Sequence, residues 1–316
     1  MDRFFCDLHA DLLGYLGESA RHTIFDEASR ASISELIEGY VGIQVLPIFV
    51  RTGPRSSRLG MRQAKIYSTL SQKYPDYFTP YRSRKKAAVR TFLAIENASG
   101  FFEENEPLEK GFRRLEDLCA IEKPLYLTMT WHFENRFGGG DMTDIGLKED
   151  GRALLRGLVD KVHAIDLSHT SDALALDILN FIETEKLPYE VCASHSNFRA
   201  VRDVARNLPL EIAQEIVRRG GIIGMNLIAD FVGGSIDDFL RHVEYALEQG
   251  FEDHIALGAD FFCEKKLLAQ FPDHPPLFFE NFENASCYGR LAQLLAGRVS
   301  PHIIDKIAFQ NFLHFV

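Results

Sequence analysis

Six side chains suited to metal-assisted hydrolysis are spread along this chain of 316 residues. The first two stand in FFCDLHADLL, where His9 and Asp11 follow an apolar run close to the N-terminus. Glu96 closes VRTFLAIE, His169 lies in AIDLSHT, His195 in CASHS and Asp260 in ALGAD. Imidazole nitrogens and carboxylate oxygens suit Zn²⁺, and a carboxylate such as Glu96 can span two ions where one imidazole usually cannot. Five ligands (His9, Asp11, Glu96, His169 and His195) exceed the needs of one zinc with an open position. They suit a pair of metals, a geometry used for hydrolysis. Taken singly, each residue has a plainer explanation: H-x-D after a strand is most often a turn, and the histidines of SHT and SHS could be incidental to helix caps. The set carries the argument, because three of eleven histidines and three acids fall at the ends of expected strands.

Eight short β-rich runs are expected to position them, over 3–9, 41–49, 89–96, 124–131, 163–169, 189–196, 221–227 and 254–260. Positions i and i+2 of a strand point to one side, so His9 and Asp11 can share an ion. Between the runs lie helical patterns with recognisable ends. Ser171 caps 171–186, Pro209 opens 208–221, Ser235 caps 235–250, and Ser300 with Pro301 starts 300–315. Apolar strands alternating with helices imply parallel pairing covered by helices. Their number favours an α/β fold of one type, a single (β/α)₈ TIM barrel over 1–316 with its chemistry at the C-terminal ends of the strands. No glycine-rich fingerprint follows the first run, which lowers an open dinucleotide-binding sheet. Segments 57–78 and 133–146 read as longer excursions.

Composition narrows the class. With 46% hydrophobic and 25% charged residues the chain reads as globular, and a net charge of −10 argues against a nucleic-acid partner. Five scattered cysteines form no C-x-x-C pair, which suggests reduced thiols. The N-terminus lacks the pattern of a secretion signal and no run is long enough to span a bilayer, so a cytoplasmic protein with no membrane partner is expected.

The stretches DLHADLL, LAIENA, LYLTMTWHFEN, AIDLSHTSDA, CASHSNFRAV, ARNLPLE and ALGADF, in this order, resemble the membrane (renal) dipeptidase family of metallopeptidases. The resemblance spans nearly the whole chain. It implies a (β/α)₈ barrel that holds two zinc ions and cleaves dipeptides. His9, Asp11 and Glu96 would then hold one zinc, His169 and His195 the other, with Glu96 bridging. It further implies that Arg206 grips the substrate's terminal carboxylate and that Asp260 handles protons. Two positions depart from the family pattern. Trp131 stands where relatives carry a histidine after L-T-x-T, with His132 one step late and turned to the other side if the strand continues. Trp131 is then expected as an apolar wall, with His132 or Asn135 supplying polar contact from the loop. Phe262 replaces a further acid after Asp260.

The expectation is a zinc dipeptidase acting on dipeptides with a free C-terminal carboxylate, with a D-residue tolerated there by analogy. Homodimers are common in the family. The same metals acting on an N-acyl amino acid or a modified dipeptide form the second reading. A catalytically silent metal- or peptide-binding barrel is the third, and the presence of Asp260 speaks against it.

Overall fold

A computed structural model describes residues 4–316, apart from the side chain of Lys266; Arg3, in the first expected run, lies outside the described residues. The strands are β1 (Phe5–Asp7), β2 (Val41–Phe49), β3 (Phe78–Pro80), β4 (Val89–Glu96), β5 (Tyr126–Thr128), β6 (Ala164–Asp166), β7 (Glu190–Ala193), β8 (Ile222–Met225) and β9 (Ile255–Leu257). Pairing runs β1-β2-β4-β5-β6-β7-β8-β9, all parallel, and Asp7 against Leu257 closes the ring. Helices fill the connections, giving a closed (β/α)₈ barrel.

β3 was not expected. It pairs with Val89–Thr91 at the base of β4, on the flank that β5 takes over from Ile95. The preceding chain, read as an excursion, forms the helix Ser56–Lys73. Three residues ending in proline are too short to show a period of two.

The barrel interior is apolar at its N-terminal end. Leu8, Val45, Phe92, Ala94, Tyr126, Ala164, Cys192, Ile222 and Ala256 form one buried cluster, plugged by Phe312 and Phe315 of the final helical segment. Alternate strand residues, such as Leu93, Ile95, Leu127, Ile165 and Ile223, belong to the cluster beneath the surrounding helices. Continuing the inward series past Phe92 and Ala94 reaches Glu96, which stands in register with Thr128 and, through it, Asp166. The inward layer thus turns polar at the C-terminal rim.

Helices form at Asp172–Glu185, Leu210–Arg218 and Ile236–Glu248, and Ser171 accepts from the Leu174 N–H at 3.0 Å as a cap. The last helix differs from the continuous one expected. A π-helical turn at Lys306–Gln310 separates Pro301–Asp305 from Asn311–Phe315. The extra residue per turn rephases the helix, and Phe309 stacks on Phe4 while Phe312 meets Phe92 in the barrel.

Several expected runs overshoot their strands. Runs 124–131, 163–169, 189–196 and 254–260 end as strands at Thr128, Asp166, Ala193 and Leu257. His169 and Asp260 both take φ of 63°, a left-handed conformation that a pleated strand cannot contain. Apart from Glu96, the last residue of β4, the site residues therefore sit just past the strands. A Cβ on Gly224 would meet the Ser194 carbonyl oxygen at 2.0 Å, so β8 approaches this rim because that residue is glycine.

Candidate active site

Three imidazoles converge on the two oxygens of one buried carboxylate. Glu96 Oε2 lies 3.2 Å from His9 Nε2, and Oε1 lies 3.0 Å from His169 Nε2 and 3.8 Å from His195 Nε2. Asp11 Oδ1 and Asp260 Oδ1 each stand 3.8 Å from His9 Nε2. The structure thus brings together all six residues singled out for chemistry, with potential ligand atoms in the overlapping groups His9–Asp11–Glu96, Glu96–His169–His195 and His9–His195–Asp260.

The far side of each ring explains this orientation. Tyr126 OH donates to the Leu8 carbonyl at 2.9 Å, so towards His9 Nδ1, at 2.8 Å, it acts as acceptor. Ser194 Oγ donates to Asp166 at 2.6 Å and lies 2.7 Å from His195 Nδ1, the same arrangement just past β7. Asp141 Oδ1 faces His169 Nδ1 at 3.4 Å, while its backbone N–H donates to the His169 carbonyl at 3.0 Å. Each partner takes the Nδ1 proton and leaves the Nε2 lone pair aimed inward, the tautomer a metal ligand needs. Asp166 is held by Thr128 Oγ1 and the N–H groups of Ser168 and Ser194.

The donor set fits cations. The His9 Nε2 and Asp11 Oδ1 atoms are buried without a hydrogen-bond partner, and His169 Nε2 faces His195 Nε2 at 3.0 Å. Two lone pairs that close repel unless a proton or a cation lies between them. Burial depresses the His9 imidazole, but Glu96, Asp260 and Asp11 override it and raise it to about 9. The field that favours a proton at Nε2 also favours a metal ion there. Burial alone would raise Glu96, yet His9 and His169 beside it hold it below the usual carboxylate range. Asp11 and Asp260 are raised, chiefly by burial and then, for both, by the Glu96 charge.

A family model described as membrane dipeptidase (peptidase family M19) matches residues 2–316. The chain belongs to that family. It is a metallo-dipeptidase. Curated relatives are distant: an uncharacterized protein in the pqqA 5′ region of Klebsiella pneumoniae is 26% identical, the match covering 73% of this chain and 83% of that one. The dipeptidase verJ of Clonostachys rogersoniana is 26% identical over 82% of this chain and 64% of its own length. Among solved structures, a metallo peptidase of Rhodobacter sphaeroides liganded with a phosphinate mimic of L-Ala-D-Ala superposes with a TM-score of 0.81 at 18% identity, covering 99% of both chains. A structure described as a dipeptidase of family M19 reaches 0.83, also at 18% identity, over 100% of this chain and 98% of that one. At this identity the superpositions speak for the fold.

In the dipeptidase, Arg206 is buried beside the cluster. Its Nη1 donates to Ser196 Oγ at 2.7 Å and Nη2 to the His195 carbonyl at 2.8 Å, while Nε is buried without a partner. Asp260 accepts from Asn226 Nδ2 at 3.0 Å, which fixes its carboxylate. Because β5 stops at Thr128, strand alternation no longer governs Trp131 and His132. His132 Nδ1 lies 2.9 Å from Asp141 Oδ1, with its ring 4.9 Å from that of His169. Asn135 is spent on the loop itself, donating to the Met129 carbonyl at 2.8 Å and to Asn97 at 3.2 Å. Phe262 packs on Phe278.

Sequence reasoning missed Tyr126, Ser194, Asp166 and Asp141. Asp141 had one legible signal: it follows three glycines in a loop flanked by site residues. A Cβ on Gly140 would meet the Trp131 carbonyl oxygen at 1.7 Å, so the run lets the loop press on Trp131–His132 and deliver the acid.

Proposed function

We propose that the chain is a dizinc dipeptidase of the cytoplasm, one domain over 1–316, cleaving dipeptides with a free C-terminal carboxylate and accepting a D-residue there. The observation that carries this is the convergence of three Nε2 atoms, each with its Nδ1 partnered, on both oxygens of Glu96. His9, Asp11 and Glu96 would hold one ion and His169 with His195 the other, Glu96 serving both. When bound, such ions supply the Lewis acidity that makes water nucleophilic near neutral pH and polarises a carbonyl.

The remaining work falls to the chain's own groups. Asp260, its carboxyl raised by burial and steadied by Asn226, takes the proton of the attacking water and hands it to the departing amine. Arg206 presents a guanidinium on fixed supports, and its unpartnered Nε suits a substrate carboxylate. Trp131 walls the pocket. His132, whose Nδ1 faces Asp141, keeps Nε2 for a polar contact with the substrate. Acceptance of a D-residue draws support from the L-Ala-D-Ala mimic bound by the Rhodobacter relative.

The test is hydrolysis of L-Ala-L-Ala and L-Ala-D-Ala by zinc-loaded protein, with and without a chelator, alongside metal analysis. Cleavage of both, lost on chelation and restored by zinc, is expected. Two bound metals with neither dipeptide cleaved would overturn the reading in favour of another amide, such as an N-acyl amino acid.

A further inference from the structure

A cation without an acid stands at the mouth of this site. Arg51 lies two residues beyond β2, is exposed, and carries its guanidinium carbon 4.9 Å from the centroid of the Trp131 ring. Trp131 packs on Phe49 at 5.3 Å and reaches to 6.2 Å from the His169 ring. The cation therefore rides on an aromatic wall whose other edge borders the metal cluster.

The backbone beneath Arg51 is fixed. Asn97 Nδ2 donates to the Val50 carbonyl at 2.8 Å and to Thr52 Oγ1 at 3.1 Å, and Thr52 Oγ1 shares a hydrogen bond with Ser99 Oγ at 3.0 Å. Some arginines of the chain are neutralised by carboxylates, as Arg136 is by Asp150, Arg199 by Asp172 and Arg219 by Glu183. Among the described residues no carboxylate is paired with Arg51, although the chain has 45 acids and a net charge of −10. A guanidinium stacked on indole keeps its in-plane N–H edge available to a carboxylate.

Position in the ring gives the direction. Arg206 is tied to Ser196 and His195 at the end of β7, and β7 lies four strands round the eight-membered ring from β2. The two arginines thus leave the backbone at opposite sides of the rim, and the Arg51 guanidinium is carried from there to Trp131, just past β5. A dipeptide with its terminal carboxylate at Arg206 that crossed the cluster past His169 would bring its N-terminal residue towards Trp131 and Arg51. We infer that Arg51 and Trp131 form the subsite for that residue's side chain and select an acidic one, so the preferred substrates are dipeptides beginning with Glu or Asp. This rests on the dipeptidase reading above.

The test compares L-Glu-L-Ala with L-Gln-L-Ala, which match in shape and differ in charge, using the zinc-loaded protein. The kcat/KM ratio should favour Glu by about five- to tenfold at low ionic strength and shrink as salt is added. Arg51→Gln should bring the ratio to about one, and Arg51→Glu should shift preference to L-Lys-L-Ala. The pair L-Ala-L-Glu and L-Ala-L-Gln should respond little to Arg51. A wild-type ratio of one, or a preference that survives Arg51→Gln, overturns the inference. Dependence on Arg51 appearing instead in the Ala-first pair overturns the assignment to the N-terminal residue. Cleavage of dipeptides without discrimination removes this inference alone, whereas cleavage of none removes the dipeptidase reading with it.

Discussion

Removing one oxygen from the barrel interior should weaken one of the two metal sites proposed above. Tyr126 is fully buried, and its hydroxyl both donates to the Leu8 carbonyl and accepts from His9 Nδ1. Tyr126→Phe keeps the ring and its packing but leaves both groups without a partner. Each buried polar group so orphaned costs about 1–3 kcal/mol, so thermal stability should fall measurably. The larger consequence concerns the tautomer. Without an acceptor at Nδ1, the His9 proton gains by moving to Nε2, where Glu96 Oε2 waits at 3.2 Å and competes with an ion for the same atom. Loss of such a supporting contact typically costs about 10–100-fold in metal affinity, or about 1.4–2.7 kcal/mol. Because Tyr126 touches His9 and not His169, the loss should fall on one ion of the pair. Chelator competition monitored by metal analysis resolves this: one equivalent should leave at distinctly lower chelator concentration while the second behaves as in wild type. Equal weakening of both ions would refute the pairing of Tyr126 with a separate His9 site, and no weakening would refute the tautomer argument itself.

Three further outcomes are expected. Asp260→Asn should retain both metals by elemental analysis while kcat falls about 10²–10⁴-fold, the usual worth of a proton-transfer group; wild-type kcat would remove Asp260 from the mechanism. Arg206→Ala should raise KM for free-acid dipeptides far more than for the corresponding C-terminal amides, and equal losses on both would mean that Arg206 does not read the carboxylate. His242, fully buried between the Phe198 N–H and the Val232 carbonyl, is held down by burial to about 4 from an ordinary 6.5. Between those values the unfolded chain binds a proton that the folded one does not, so stability is full above about 6.5 and is lost as pH falls towards 4, by about 3 kcal/mol. Denaturant titrations of wild type and His242→Gln should show their difference shrinking by that amount on acidification, and a constant difference would refute the assignment.

The candidate ligands were legible because chemistry restricts which residue types can serve. An imidazole, a carboxylate and a strand end are local properties, so His9, Glu96 and His195 stand out from a few neighbours each. The barrel was legible for a related reason, since alternating periods of two and 3.6 residues leave few ways to bury the strands. Strand ends were less so, because Thr128 and Asp166, the last residues of β5 and β6, bond to each other and Asp166 also holds the Ser194 N–H beyond β7, partners set by strand register. β3 and the π-helical turn at Lys306–Gln310 escaped notice for the same reason: their register is set by β4 and by the barrel floor.

By itself the sequence determined which groups are available for catalysis, their order along the chain and the architecture that collects them. Tertiary structure decided how those groups are aimed. Tyr126 lies 117 residues from His9, Asp166 28 from Ser194 and Asp141 28 from His169, yet each contact depends on strand register and loop closure. The same holds for His132, whose side of the strand ceased to matter once β5 ended, and for Arg51, a surface arginine in sequence that folding sets over Trp131. Hydrogen-bond direction and ring stacking act over a few Å, so the partners that orient the site come from neighbours in space and are invisible to any reading of neighbours in sequence.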